Sequence, residues 1–111
     1  MVKYHSSLDN TFAALSHPTR RAILTRLERV DGCTVSELSQ FLVIKLPALM
    51  KHLDVLANAS LIRRFKESRT VTVRLSSMPL REAKNWLHRY QRFWTPRLDR
   101  LQAYAEAKDK R

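Results

Sequence analysis

Between Thr34 and Leu75 the apolar residues change period once, from the three-to-four spacing of a helix to the two-residue spacing of a strand. That change, more than any other feature, limits the folds open to the chain. Thr34-Val35-Ser36-Glu37 is a capping box: the threonine hydroxyl can accept from the Glu37 N–H, while the glutamate carboxylate reaches back to the Thr34 N–H. It predicts a helix running through Leu38 and Leu42. A turn at about Val43 to Lys45 follows, and then a further helix with Pro47 in its first turn and Leu49, Leu53 and Leu56 on one face. Two short helices joined by so short a turn make a helix-turn-helix, although the spacing alone describes an ordinary helical hairpin as well. Leu61-Ile62-Arg63-Arg64-Phe65 and Thr70-Val71-Thr72-Val73-Arg74-Leu75 are then β-branched or aromatic runs around a polar turn, Lys66 to Arg69, which predicts a β-hairpin. In the second run Val71, Val73 and Leu75 alternate with Thr70, Thr72 and Arg74, so one face can pack on helices and the other meet solvent or phosphate. Five basic residues and one acidic residue lie between Arg63 and Arg74. A basic hairpin directly after a helix-turn-helix is a wing.

The flanking segments read as helices. Leu8, Phe12, Ala13 and Leu15 form a short first one, interrupted by Ser16-His17-Pro18-Thr19. Pro18 suits the first position of the second, where its missing N–H costs nothing, and Ala22, Ile23, Leu27 and Val30 continue it to about Asp31-Gly32. Gly32 is the only glycine in the chain. From Leu80 to about Lys108 a stripe of Ala83, Leu87, Tyr90, Trp94, Leu98, Leu101 and Ala105 recurs at helical steps, and it holds more aromatic surface than a small core needs. A self-complementary dimer interface follows, with Leu87, Tyr90, Trp94, Leu98 and Leu101 as its candidates. A proline inside a helix costs roughly 3 kcal/mol, so Thr95-Pro96 predicts a bend with Thr95 as a new N-cap. The expected fold is mainly α with a small β-hairpin wing, one domain over 1–111, with a C-terminal dimerisation helix over about 79–108.

Charge narrows the function. The 111 residues include 21 Lys and Arg against 10 Asp and Glu, a net charge of +11 that favours a polyanionic partner. The sequence has no run of about 18 apolar residues and no apolar signal region near its N-terminus, which predicts a cytoplasmic protein without a membrane partner. Cys33 is the only cysteine, so no intramolecular disulfide can form; with no second thiol to resolve an oxidised one, we read it as inert. Metal sensing needs thiolates or grouped histidines and carboxylates. Glu37 to Leu42 contains no Cys-x-Cys pair, His88 has no histidine partner downstream, His5 lies near the N-terminus and His52 belongs to the second helix of the motif. No metal and no cofactor are expected. Nor is an enzyme, because no nucleophile–base grouping and no phosphate-cradling glycine loop can be argued from the spacing.

Three stretches together resemble the ArsR-type family of bacterial repressors, in particular the branch without metal ligands. They are Phe12-Ala13-Ala14-Leu15-Ser16-His17-Pro18-Thr19-Arg20-Arg21-Ala22-Ile23-Leu24, Pro47-Ala48-Leu49-Met50-Lys51-His52-Leu53, and Tyr90-Gln91-Arg92-Phe93-Trp94. The resemblance implies a winged-helix homodimer with the fourth helix in the major groove of double-stranded DNA, the wing along the backbone or minor groove, and the outer helices forming the dimer, which adds Leu8 and Phe12 of the first helix to the dimer candidates. It also marks departures. Where the family carries a glycine in the turn and then Ser-Gln-Pro-Ala-Val-Ser-Lys-His, this chain has Val43 and then Lys45-Leu46-Pro47-Ala48-Leu49-Met50-Lys51-His52. Leu46 and Met50 cannot hydrogen-bond base edges and could at most touch thymine methyls, while Lys45 could reach a guanine or a phosphate. This implies weaker discrimination than the family norm or a T-rich site, unless Leu46 and Met50 are simply core. A valine in a left-handed turn costs on the order of 1–2 kcal/mol, so the turn is either remodelled or strained. Ser60 and Ser68 likewise stand where the family places glycine, and His17 where it often has an N-capping aspartate, so Ser16 is a candidate cap instead.

The expected DNA contacts are Lys45, Leu46, Met50, Lys51, His52, Arg63, Arg64, Lys66 and Arg69, with Arg20 and Arg21 as weaker candidates. The nine basic residues from Arg81 to Arg111 read as solvated flanks of the last helix. The reading is a homodimeric repressor on a palindromic duplex site. Two rivals remain: a protein-interaction module that keeps the fold and binds another protein through its aromatic helix, and an architectural, sequence-tolerant DNA binder. The first would give a heteromeric complex without duplex binding, and the second would be competed almost equally by unrelated DNA.

Overall fold

The capping box at Thr34 forms as its spacing predicts: the Thr34 N–H donates to Glu37 Oε1 at 3.0 Å and the Glu37 N–H donates to Thr34 Oγ1 at 3.1 Å. It starts the third helix of a computed structural model that describes residues 6–109. In chain order the elements are α1 (Ser6–Leu15), α2 (Pro18–Arg29), β1 (Cys33–Thr34), α3 (Val35–Leu42), α4 (Leu46–Asn58), β2 (Ile62–Glu67), β3 (Thr70–Leu75), α5 (Met78–His88) and α6 (Gln91–Asp109). The core is the meeting of three apolar helix stripes with one face of the sheet. Ile23, Leu24 and Leu27 of α2, Leu38 of α3, and Leu49, Leu53 and Leu56 of α4 are buried with Leu61, Ile62 and Val73. Each large aliphatic side chain so buried contributes about 1.5–3 kcal/mol, which clamps α4 in place from behind and leaves its other face free.

The sheet is larger than the expected hairpin. β1 adds a third antiparallel strand, in the order β1-β3-β2, with Cys33 opposite Val73 and Thr34 opposite Thr72. A strand this short leaves no periodic trace in the sequence; it exists because β3 offers it a free edge. Gly32 delivers the chain there at φ 95°, a conformation that suits glycine. β2 also extends further than expected, and Glu67 pairs with Thr70, so the loop is Ser68-Arg69 rather than Lys66 to Arg69. Ser68 takes the positive φ of 56° that a primed two-residue hairpin turn requires at its first position.

The helix boundaries correct two expectations. His17, not Ser16, caps α2, with its Nδ1 accepting from the Thr19 N–H at 3.1 Å. The C-terminal stretch breaks at Arg89-Tyr90 and not at Thr95: Arg89 and Tyr90 donate to Trp86 and Leu87, the tightened three-residue bonds of a helix end. α6 then runs through Pro96. With the restart at Gln91 the proline falls in the second turn, where its missing N–H forfeits one bond, to the carbonyl of residue 92. The expected Thr95 cap concerns a side chain outside those described.

Candidate nucleic-acid interface

The four-residue repeat of α4 places Leu46, Met50 and Asp54 in one outward row and Pro47 and Lys51 in the next. Leu46 is 49% exposed and Met50 37%, whereas Leu49, Leu53 and Leu56 are sealed in the core. Of the two readings left open, the structure places Leu46 and Met50 on the surface. Lys45 is the α4 N-cap and its side chain makes no capping bond. Together with Lys51 it leaves two exposed ammonium groups beside the apolar row.

Val43 sets the entry to this helix. It takes the left-handed conformation, φ 51° and ψ 53°, at the C-cap of α3, and its side chain is 90% exposed. The turn is therefore kept and strained, not remodelled. Ser39 stabilises it, its hydroxyl donating to the Ile44 carbonyl at 2.6 Å. Ser60, φ 61°, repeats the substitution of a left-handed glycine before β2.

The wing is tied to α4 by one ion pair. Arg64 Nη1 donates to Asp54 Oδ1 at 2.7 Å. An Arg64 expected on phosphate thus has a partner within the chain, and Asp54 is the residue that sequence reasoning missed. Its position four residues after Met50 was the available signal. Strand alternation puts Lys66 on the same face as Arg64 and puts Arg63 on the opposite one, across from Arg74. Arg74 lies 3.7 Å from the Asp31 carboxylate and 5.8 Å from the Phe65 ring, so one cation of that face is held by neighbours. Arg63, Lys66 and Arg69 are exposed. Val35, Ser36, Leu46, Met50, Arg69 and Val71 line a cleft of roughly 410 Å³ between the wing, the start of α3 and α4.

His52 is turned elsewhere. It is half-buried, its ring centroid 4.5 Å from that of His17, and burial, then His17, then Arg20 push its pKa below the ordinary imidazole value. It joins α4 to the cap of α2 and does not extend the outward rows. Arg20 and Arg21 are engaged as well: Arg20 Nε donates to the Ala14 carbonyl at 2.8 Å and Arg21 Nη1 to the Leu15 carbonyl at 2.8 Å, satisfying orphan acceptors at the end of α1. Cys33 is buried; desolvation raises its pKa, the Glu37 carboxylate adds to that, and Arg26 offsets part of it. A thiolate is disfavoured there.

The dimer candidates lie along α1, α5 and α6. Phe12 meets Trp86 edge-on at 5.7 Å, Trp86 meets Tyr90 at 5.2 Å, and an open groove of roughly 400 Å³ is lined by Phe12, Leu15, Leu80, Ala83, Leu87 and His88. Leu8 is half-buried, while Leu87, Tyr90, Leu98 and Leu101 are exposed. Every α6 side chain described is exposed. The Trp94 side chain and all of His5 lie outside the described residues. Among the described residues no three His, Cys, Asp or Glu side chains group as metal ligands, and no helix is long and apolar enough to cross a membrane.

A helix-turn-helix with a solvent-facing second helix, followed by a basic hairpin pinned to it, defines a winged helix-turn-helix DNA-binding regulator. The model of a helix-turn-helix domain family matches residues 15–64. The chain is 30% identical over 80 residues to the transcriptional repressor SdpR of Bacillus subtilis (strain 168), a match covering 72% of this chain and 88% of that one. Among solved structures, it is similar to an ArsR family transcriptional regulator at 38% identity and TM-score 0.76, covering 86% of this chain and 97% of the other. It is also similar to an ArsR-like transcriptional regulator from Rhodococcus sp. RHA1, at 32% identity and TM-score 0.74, over 96% of this chain and 97% of that one. The chain belongs to the ArsR-type family of winged helix-turn-helix transcriptional regulators, which are not enzymes.

Proposed function

We propose that this protein is a homodimeric repressor that occupies a short, roughly palindromic promoter site in the cytoplasm, as one domain with α5 and α6 as its dimer-forming end. The observation that carries the reading is the exposed face of α4, with Lys45 and Lys51 outward beside a wing that carries Arg63, Lys66 and Arg69. These five are the proposed DNA-contacting cations, with Leu46 and Met50 against the bases; Arg64 acts by holding the wing against α4. The repressor assignment draws on SdpR, whose name describes a transcriptional repressor. The dimer draws on the open groove between α1 and α5 and on the exposed apolar side chains of α6, which would gain by burial against a second copy.

Selection from random duplex DNA, followed by titration of the enriched sequence at several salt concentrations, tests it. If a dimer neutralises about eight phosphates, log affinity falls with log salt at a slope near −7. A palindrome bound about a thousand-fold more tightly than a scrambled duplex, with two protomers per site by sedimentation, is the expected result. Salt-sensitive binding with no sequence enrichment would replace it by an architectural role. A salt slope near zero would end the DNA-binding reading itself.

A further inference from the structure

We propose that the cleft between the wing and α4 recognises thymine through its C5-methyl group, with Leu46 and Met50 as the residues that determine specificity. The inference rests on the DNA-binding reading above and names what that surface reads. Three observations carry it. Leu46 and Met50 occupy successive turns of one outward row and keep large apolar surface open to solvent, 49% and 37% exposed, on the helix that the wing flanks. The third member of that row, Asp54, has Oδ1 engaged by Arg64 of the wing at 2.7 Å, which draws that carboxylate toward the wing. Val35 and Val71 add apolar wall to the same cleft, and Ser36 and Arg69 add polar lining.

Leu46 and Met50 offer no strong hydrogen-bonding group with which to distinguish bases. In the major groove the one apolar group presented by an unmodified base is the thymine methyl. Phosphate contacts then do the positioning. Lys45 and Lys51 stand exposed on α4 and Arg69 lines the cleft from the wing, cations that fit the polyanionic backbone and would hold the groove floor over Leu46 and Met50.

The test alters the DNA before the protein. In the selected operator each thymine is replaced singly by deoxyuridine, which keeps the pairing and deletes only the methyl. At one or more thymines per half-site the wild-type affinity should fall about three- to fourfold, the fold-change of one buried methyl. The L46A/M50A double variant should bind thymine and uracil duplexes alike at those positions, while K51A should weaken both and leave their ratio intact. Specific binding by the wild type with no loss at any thymine would overturn the methyl readout and leave the DNA-binding reading standing. Absence of duplex binding even at low salt would remove both.

Discussion

Replacing Val43 by glycine should stabilise this protein, against the usual direction of a mutation to glycine. Val43 holds φ 51° and ψ 53°, where a β-branched Cβ crowds the following carbonyl at a cost of about 1–2 kcal/mol. Its side chain is 90% exposed, so truncation forfeits almost no packing. Against the relief stands the greater freedom of glycine in the unfolded chain, about 0.4–1 kcal/mol. The balance is a gain of about 0.5–1 kcal/mol, or roughly 2–5 °C in Tm for a domain of this size. Urea unfolding of the wild type, Val43→Gly and Val43→Ala at one protomer concentration measures it, the fixed concentration removing any contribution from association. Val43→Ala should recover only part of the gain, because it removes the branching and keeps the Cβ. A Val43→Gly midpoint at or below wild type, with an unchanged m-value, would refute the claim that the turn stores strain.

The converse holds at Gly32, where φ is 95° and an added Cβ would stand 3.3 Å from Arg74 Nε and from Thr72 Cγ2. Gly32→Ala should cost about 1–2 kcal/mol by the same unfolding assay, and a neutral outcome would mean that the entry to β1 relaxes freely. Thr34→Ala removes the hydroxyl half of the capping box, leaving the backbone N–H to donate to Glu37, and should cost about 1 kcal/mol, with Thr34→Ser restoring most of it; equal midpoints for the two variants would contradict the cap. His52 has a folded pKa below its ordinary value, so the unfolded chain takes up that proton first. Its contribution to stability is thus present above about pH 6.5 and lost as pH falls through the lowered folded pKa. Thermal melts from pH 8 to pH 5 should show that decline, and the profile of His52→Gln should be flatter; an equally steep profile would exclude His52 as its source.

What could be read along the chain was whatever acts over three or four residues. The Thr34–Glu37 box, the buried leucines of α4, the alternation of β3 and the turn between the two motif helices all depend on neighbours in sequence, and all were legible. So was the ArsR-type resemblance, carried by linear motifs. The exposure of Leu46 and Met50 was not, because a helical period places both near the edge of the same apolar face as Leu53; only the docking of α3 and the sheet decides which side of that edge is covered. Arg64 looked like a phosphate ligand until the hairpin folded back and brought it to Asp54, ten residues away. His17 and His52 meet because α2 and α4 pack, and β1 exists because β3 has an edge to pair with. Local hydrogen bonds and periodicity thus determined the elements other than β1, while long-range packing added that strand and determined which polar groups neutralise each other and which side chains stay exposed.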